Sequence, residues 1–256
     1  MSEPSSGGEP RVSVVVTAYE EGDAIVPHLA RIFEGVTLPC EVLVVYDSPD
    51  DSTVPWLQKY AENEPRLVPT LNTYGHGPAR ALRFGIDAAR ADVVVVTMAD
   101  GCDDPQQIDQ LTRLVERGVV IAAASRYMRG GQQVGGPVLK STMSRLAGRS
   151  LRALARVGTN DATNSFKAYK RSFVQDVGID SDDGFEVGLE LVAKARRMRL
   201  PIAEVPTIWL DRSFGVSNFK MAAWLPRYLR WYRFAFGPAL TAEEVRAKAA
   251  KKESTQ

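Results

Sequence analysis

Short apolar runs alternate with amphipathic segments along the first half of the chain. Four consecutive valines at 93–96 are typical of a strand that is buried on both faces. Strands that alternate with helices of about ten to fifteen residues predict βαβ units. We therefore expect a single α/β domain with a mostly parallel central sheet and helices on both faces. The predicted strands are 12–17, 41–46, 66–70, 92–98 and 119–124, and the predicted helices are 24–33, 54–63, 78–90 and 105–117.

The rhythm of the pattern changes after residue 124. A glycine-rich stretch at 130–136 predicts a mobile loop, and a basic helix is expected after it, over about 138–157. Beyond this helix the pattern predicts an edge strand at 166–169, a helix at 184–199 and a last strand at 203–210. Within the 184–199 helix, Glu190 and Lys194 have the spacing of an ion pair, whereas the role of Glu186 is left open.

The two ends of the chain differ from the part between them. Residues 1–10 are rich in Ser, Gly, Glu and Pro, which predicts a disordered tail. Thr241 and Glu244 have the spacing of a capping box, so a charged, frayed helix is expected from there to about residue 251. The predicted organisation is a tail over 1–10, a domain over 11–218, and an amphipathic helix with a charged tail over 219–256.

Composition limits the class of protein. The 256 residues are 45% hydrophobic, which predicts a substantial core, and their net charge of +1 gives no reason to expect nucleic acid as a partner. Two cysteines form no disulfide framework, so a reducing compartment, the cytoplasm, is expected. No run reaches the roughly 20 apolar residues of a membrane span. We therefore expect a soluble protein or one that lies peripherally at the inner face of the membrane.

Carboxylates follow the valine-rich strand directly. Asp100, Asp103 and Asp104 lie at its carboxyl end, where ligands bind in open α/β sheets. Acidic side chains so close together repel one another unless a hard divalent cation joins them. Asp100 ends a buried strand, where a carboxylate is costly without a partner, so it is assigned as a metal ligand. Asp103 is the second candidate, with three alternatives open: it binds the metal directly, through water, or not at all. Asp104 precedes a proline and has the spacing of a helix cap, and both interpretations stay open for it.

The first two strands also end in candidate ligand-binding residues. Thr17 ends the first strand, and it is followed by Tyr19, which offers a stacking face, and Glu21, which offers an acceptor. Asp47 follows the second strand, where a carboxylate accepts hydrogen bonds from a base or a ribose in dinucleotide folds. Turn chemistry is the alternative for Asp47, and it is favoured for the acids at 50 and 51.

A third candidate element is the loop over 72–78. Its glycines, including Gly77, allow the backbone to approach a ligand closely, and the helix that follows carries Arg80. The N-terminus of a helix favours an anion, although the loop lacks the pattern of a P-loop. A flexible turn without a ligand is the alternative.

Six segments of the chain occur in an order that resembles one family. They are Val14–Glu21, Val44–Ser48, Met98–Asp100, Ala124–Tyr127 with the glycines that follow, Asp161–Lys167 and Trp209–Ser217. Together they resemble the family-2 glycosyltransferases with the GT-A fold, and within them the dolichol-phosphate and polyprenyl-phosphate sugar synthases. The chain departs from the family pattern in three segments. The opening segment lacks the family's proline and asparagine but keeps Tyr19 and Glu21, and Tyr46 and Met98 stand where the family has the first acid of each Asp-rich motif.

The resemblance implies an inverting glycosyltransferase that moves a sugar, mannose or glucose, from a nucleotide-diphosphate sugar to a polyprenyl or dolichyl phosphate. It also implies a divalent metal, Mg²⁺ or Mn²⁺, held by Asp100 and Asp103 against the diphosphate. The residues assigned to the donor are Thr17, Tyr19, Glu21, Asp47, Gly77, Arg80 and Asp100. The residues assigned to the acceptor are Arg126, Lys140, Ser144 and Arg212, and those assigned to catalysis are Asp161, Arg126 and Arg212.

The acceptor decides what chemistry the site has to supply. A phosphate acceptor is already anionic, so it needs cations that position it more than a base, whereas a hydroxyl acceptor needs a base. Asp161 therefore has three interpretations: it orients the acceptor, acts as a base, or forms a turn. A soluble or glycan acceptor is the first alternative function. A nucleotide-binding module without catalysis is the second, because the first acid of both Asp-rich motifs is missing.

Residues 224–234 combine aromatic and basic side chains. On a helical wheel, one face carries the large apolar and aromatic residues and the other carries the arginines at 227, 230 and 233. This pattern predicts a helix at the headgroup boundary of an anionic membrane. The alternative is a packed helix whose aromatic side chains fill the core. The residues predicted to share the first face are Trp224, Leu225, Tyr228, Leu229 and Tyr232.

Overall fold

The computed structural model describes residues 9–182, 184–211 and 221–250, and most of its apolar runs form one seven-stranded sheet. The strands of this sheet are β1 (Val12–Thr17), β2 (Cys40–Tyr46), β3 (Leu67–Leu71), β4 (Val93–Met98), β5 (Ile121–Ser125), β7 (Lys167–Lys170) and β8 (Ile202–Pro206). Their order is β3-β2-β1-β4-β7-β5-β8, and every pairing is parallel except those of β7. The predicted α/β fold with a mostly parallel sheet is confirmed.

Helices cover both faces of this sheet. One face carries α1 (Ile25–Gly35), α2 (Val54–Ala61) and α4 (Ile108–Glu116), which pack against the alternate side chains of β1, β2 and β4. The other face carries α3 (Pro78–Ala88), α6 (Arg171–Val177) and α7 (Val187–Arg197). The chain therefore buries both faces of its central strands, as their unbroken apolar runs predict. A basic helix, α5 (Val138–Ser150), continues as a π-helical turn over Leu151–Ala155.

The strand predicted at an edge of the sheet lies in its interior. β7 pairs antiparallel with β4 on one side and with β5 on the other. Phe166 and Ala168 are buried in the core on one face, and Tyr169 is buried in the core on the opposite face. The edge prediction was wrong because β7 pairs with two strands that are distant in the chain, and such pairing leaves no mark on local periodicity.

The predicted last strand is divided at Thr207. Its first part is β8, and its second part, β9 (Ile208–Leu210), pairs in parallel with β6 (Gln132–Val134) in a small separate sheet. β6 lies inside the stretch that was predicted to be a mobile loop. Thr207 joins the two sheets, because its N–H donates to the Ser125 carbonyl at 3.2 Å and its carbonyl accepts from the Gln132 N–H at 2.9 Å.

The C-terminal helices, α8 (Met221–Phe234) and α9 (Ala242–Ala250), pack against the sheet domain. Trp231 of α8 is 1% exposed, and its Nε1 donates to Ser181 Oγ at 3.1 Å. Ser181 Oγ in turn donates to Glu190 Oε2 at 2.5 Å, and Glu190 forms the predicted ion pair with Lys194 at 2.6 Å. A buried polar group on α7 therefore anchors α8 to the domain.

The last helix, α9, has both a capped N-terminus and buried side chains. The predicted capping box is present: the Thr241 N–H donates to Glu244 Oε2 at 2.8 Å, and the Glu244 N–H donates to Thr241 Oγ1 at 3.2 Å. Val245 and Ala249 are buried, so the expectation that this helix frays was wrong for residues 242–250. None of the described helices is long and apolar enough to cross a bilayer.

Candidate active site

The carboxyl ends of β1, β2 and β4 meet at one edge of the sheet. Thr17 is in register with Val45 on one side and with Met98 on the other. Parallel strands bring their carboxyl ends to the same edge of a sheet. The residues that the sequence assigned to a donor and a metal follow these three strands, and they therefore lie at this edge. A cleft at this edge is lined by Thr17, Met98, Ser165 and Phe185, among others.

Two carboxylates lie in the turn after β4. Asp100 is partly exposed, and its Oδ1 accepts from the Cys102 N–H at 3.1 Å. Asp103 is only 4% exposed, and its Oδ2 accepts from Thr97 Oγ1 at 2.8 Å. Burial and the nearby negative charge of Asp100 raise the pKa of Asp103 to about 7. The two groups therefore share a region in which added positive charge is favourable.

The same turn is held from outside by an arginine. The Arg31 guanidinium donates to the carbonyls of Gly101 and Asp103, at 2.7 and 3.2 Å. Asp104 accepts from the Gln106 N–H at 3.1 Å, so its interpretation as the cap of the next helical turn is confirmed. In residues 9–182, 184–211 and 221–250, no three or more His, Cys, Asp and Glu side chains are grouped as a metal site. A cation here would need ligands from the substrate as well.

The loop after β1 is held by hydrogen bonds to side chains of the loop after β2. The N–H groups of Glu20 and Glu21 donate to Asp51 Oδ2 and Thr53 Oγ1, at 3.1 and 3.0 Å. Asp51 Oδ1 also accepts from the Thr53 N–H at 2.8 Å, which is the turn role that the sequence favoured for it. Tyr19 is left 68% exposed two residues after the end of β1, so its ring is accessible to a planar ligand.

Asp47 orders the loop over 72–77. Its Oδ1 accepts from Asn72 Nδ2 at 2.7 Å, and its Oδ2 accepts from the Gly77 N–H at 2.8 Å. Asn72 also donates to the Gly75 carbonyl and accepts from the Tyr74 N–H, at 2.6 and 2.9 Å. Sequence reasoning missed Asn72, although an asparagine that begins a glycine-rich loop is a recognisable turn signal.

The N-terminus of α3 follows this loop. Gly77 precedes the helix with a φ of +120°, a conformation that side chains rarely adopt, and Pro78 occupies the first turn. Arg80 lies in that first turn, and its Nη1 donates to the His76 carbonyl at 3.1 Å. The loop and helix start therefore combine backbone N–H groups with a cation, which suits a phosphate group.

Arg126 and Asp161 form a buried pair at the carboxyl end of β5. The guanidinium donates from Nε to Oδ2 at 2.7 Å and from Nη2 to Oδ1 at 2.9 Å, and the Arg126 N–H donates to Oδ2 at 3.1 Å. Burial opposes the charge on Arg126, but the Asp161 carboxylate more than offsets it, so the pKa of Arg126 is raised. Asp161 is fully buried and its oxygens are directed to Arg126, an arrangement that fits an orienting role better than that of a base.

The other residues assigned to the acceptor lie on α5. Ser144 shares a short hydrogen bond with Thr163, which follows Asp161 by two residues. Lys140 is exposed one turn before Ser144, on the same face of the helix. The structure thus links Arg126, Asp161 and Ser144 through Thr163, with Lys140 one turn before Ser144, whereas Arg212 lies outside the described residues.

Lys167 is a further buried cation that the sequence did not single out. Its side chain is fully buried, and Nζ donates to the carbonyls of Ala162, at 3.2 Å, and Asn164. Burial lowers the pKa of Lys167 to about 7, although the charges of Asp161 and Asp103 oppose this shift. Lys167 therefore holds the turn that presents Asp161 to Arg126.

Comparison with known proteins assigns the chain to a family. Residues 13–178 match the family described as "Glycosyl transferase family 2". The chain belongs to glycosyl transferase family 2. This family-2 glycosyltransferase is 27% identical over 230 residues to a polyprenol monophosphomannose synthase of Mycolicibacterium smegmatis, covering 84% of this chain and 86% of the relative. It is 28% identical over 215 residues to a dolichol-phosphate mannosyltransferase of Pyrococcus furiosus, covering 82% of this chain and 59% of the relative.

Solved structures share the GT-A fold of this family-2 glycosyltransferase. Glucosyl-3-phosphoglycerate synthase from Mycobacterium tuberculosis, in complex with Mn²⁺, UDP and its product, superposes with a TM-score of 0.63 at 19% identity, over 91% of this chain and 82% of that chain. The mannosyltransferase PcManGT from Pyrobaculum calidifontis, in complex with GDP-Man and Mn²⁺, superposes with a TM-score of 0.61 at 19% identity, over 96% and 70%.

Proposed function

We propose that this enzyme transfers a hexose from a nucleoside-diphosphate sugar to a polyprenyl phosphate, with inversion at the anomeric carbon. The observation that carries the proposal is the buried Arg126–Asp161 pair, which is linked to Ser144 through Thr163. A guanidinium held rigidly in this way suits a phosphate monoester, which accepts two parallel hydrogen bonds. The names of the relatives support the same acceptor class.

The donor is assigned to the β1, β2 and β4 side of the cleft. Tyr19 offers a ring for the nucleoside base, and the loop ordered by Asp47 offers N–H groups at the start of α3. Thr17, Glu21 and Arg80 complete this side. The ligands of the compared structures support guanosine or uridine as the nucleoside and mannose or glucose as the sugar of the donor.

The carboxylates after β4 fit a divalent cation. The pKa of Asp103 is raised by burial and by the charge of Asp100, so the pair favours an added positive charge. Two protein carboxylates, completed by diphosphate oxygens and water, suit Mg²⁺ or Mn²⁺. Asp100 would hold this cation, with Asp103 beside it. When bound, the cation stabilises the charge that develops on the leaving diphosphate.

The protein's own residues then have positioning tasks. Arg126 and Lys140 bind the acceptor phosphate, and Ser144 donates to it, so that one of its oxygens faces the anomeric carbon. That oxygen forms the new bond as the bond to the diphosphate oxygen breaks, and the electron pair leaves with the nucleoside diphosphate. Because the acceptor is already anionic at neutral pH, no residue has to remove a proton. Asp161 keeps Arg126 charged and in place.

A membrane surface is the proposed location of the acceptor. Exposed apolar side chains lie along α5 and the turn after it: Leu139 is 66% exposed, Leu146 is 61% exposed and Leu154 is 70% exposed. Residues 118–160 contain seven Lys and Arg residues and no acid. An amphipathic, basic helix of this kind suits an anionic lipid surface. On α8, Trp231 fills the core, as the packed-helix interpretation predicts, and Leu225 and Leu229, each 39% exposed, are proposed to face the membrane.

Transfer of label into lipid tests the proposed acceptor. GDP-[¹⁴C]mannose and UDP-[¹⁴C]glucose are incubated with the enzyme, Mn²⁺ and a short polyprenyl phosphate, and the organic-extractable label is counted. The expected result is transfer with one donor and loss of at least 100-fold in Arg126→Gln. Label that enters only water-soluble acceptors would assign the rival function, and no turnover with any sugar nucleotide would favour a binding module.

Vesicle binding tests the proposed membrane surface separately. The double variant Leu146→Glu and Leu154→Glu is expected to lose co-sedimentation with anionic vesicles at low salt. Leu71→Glu, which changes a leucine that is 41% exposed on the edge strand β3, is the matched control and should bind as the wild type does. Wild-type protein that stays in the supernatant would overturn the membrane proposal while leaving the transfer reaction intact.

A further inference from the structure

A buried histidine without a partner lies beneath the turn that carries Asp100. His28 of α1 is 4% exposed, and neither of its ring nitrogens has a hydrogen-bond partner among the described residues. Burial lowers the pKa of His28 to about 4, so the ring is neutral at pH 7 and carries one N–H donor. A buried polar group without a partner destabilises the fold, so packing alone does not account for an imidazole at this position.

The surroundings of His28 belong to the turn after β4. A Cβ atom placed on Gly101 would lie 3.6 Å from His28 Nδ1, so the ring lies directly against that turn. The negative charge of Asp100 opposes the lowering of the pKa of His28, whereas the positive charge of Arg31 adds to it. The His28 ring therefore lies against Gly101, the residue that directly follows Asp100.

α1 contacts this turn at two points. Arg31, one helical turn after His28, donates to the carbonyls of Gly101 and Asp103 and so holds this backbone. His28 lies against the same backbone, because a Cβ atom on Gly101 would be 3.6 Å from His28 Nδ1 and 3.7 Å from Arg31 Nη1. In this structure the Asp100 carboxylate accepts from the Cys102 N–H. With the backbone of the turn held by Arg31, a rotation of the Asp100 side chain would direct the carboxylate to a bound cation instead.

We propose that His28 is a positioning residue that donates its N–H to the Asp100 carboxylate when Asp100 binds the divalent cation and the donor diphosphate. The proposal rests on the proposed function, in which Asp100 holds the cation. A hydrogen bond to one carboxylate oxygen leaves the other aimed at the cation, and loss of such a bond typically lowers metal affinity about 10–100-fold. His28 thereby gains the partner that it lacks in the structure.

Calorimetric or fluorescence melting of the full chain tests this role without turnover. Mn²⁺ is titrated at saturating GDP, and separately at saturating UDP, and the metal concentration that gives half of the melting shift is measured. The variants are His28→Leu, which removes the donor and keeps an apolar filling, and His28→Gln, which keeps a donor. Thr112→Val, a fully buried polar-to-apolar change in α4, is the matched control.

In His28→Leu the half-saturating Mn²⁺ concentration is expected to rise at least 10-fold, while the melting temperature without metal stays the same or rises, because an unpaired buried polar group is removed. His28→Gln should recover part of the Mn²⁺ affinity, and Thr112→Val should change only the melting temperature. A His28→Leu titration that superposes on the wild type would overturn the positioning role alone. Wild-type protein with no Mn²⁺-dependent shift would overturn the cation role of Asp100 and the His28 proposal with it.

Discussion

The Arg126 guanidinium and the Asp161 carboxylate, 35 residues apart in the chain, form a two-point ion pair of 2.7 and 2.9 Å whose acidic partner is fully buried. The pair joins the end of β5 to the turn before β7. In a region of low dielectric, either charge would be strongly destabilising without its partner. The pair therefore stays together, and it fixes the orientation of the guanidinium before any acceptor binds.

Asp161→Asn should therefore weaken the fold and the acceptor site together. Removal of one partner leaves a buried, uncompensated guanidinium, which destabilises by about 3–5 kcal/mol. We expect a lower urea midpoint and a raised KM for the acceptor. Arg11→Gln, which breaks the solvent-exposed pair with Glu116, is the control and should cost less than about 1 kcal/mol. An Asp161→Asn protein that unfolds at the wild-type urea concentration would contradict the assigned role.

Asn72→Ala should affect the donor rather than the acceptor. The amide makes hydrogen bonds to Asp47, Gly75 and Tyr74, so its removal frees the loop before α3. We expect the KM for the sugar nucleotide to rise about 10-fold, which corresponds to about 1.4 kcal/mol, with little change in the KM for the acceptor. Thr73→Ala, on the exposed neighbouring position, is the control. Equal effects on both substrates would show that the loop does not serve the donor alone.

Gly148→Ala should disturb Asp161 from a distance. A Cβ at Gly148 would lie 1.9 Å from the Asn160 carbonyl oxygen, so α5 and the chain before Asp161 have to separate. Overpacking of this kind typically costs about 1–3 kcal/mol. We expect a lower melting temperature together with a raised KM for the acceptor, whereas Ala substitution of the exposed neighbour Arg149 should leave the melting temperature close to that of the wild type. A wild-type acceptor KM in Gly148→Ala would contradict this link.

Lys167→Met should change how stability depends on pH. The unfolded lysine keeps its proton to a pH of about 10.5, whereas the pKa of buried Lys167 is lowered to about 7. Between these values unfolding takes up a proton, so a rise in pH stabilises the folded state, by at most about 1.4 kcal/mol per pH unit. From pH 7 to 10, the free energy of unfolding of the wild type should therefore increase relative to that of Lys167→Met. A constant difference across that range would contradict the lowered pKa.

The alternation of apolar runs was enough to predict β1 to β5 and the helices between them, because each element there is a local repeat that buries a continuous face. Asp100, Asp47 and Tyr19 could be placed at one edge of the sheet from strand ends alone. β7 could not be placed, because its position depends on two partners that are distant in the chain. Asn72, His28 and Lys167 were missed for a related reason: each is defined by a contact with another loop or helix.

The insertion of β7 between β4 and β5 has a consequence for synthesis on the ribosome. β4 and β5 emerge in succession, yet they never pair with each other, so the edges that face each other stay unpaired until residues 167–170 have left the exit tunnel. Open, apolar edges of this kind invite pairing between chains. Translation products that stop before β7 are therefore expected to aggregate, and chaperone demand should peak over that interval of elongation.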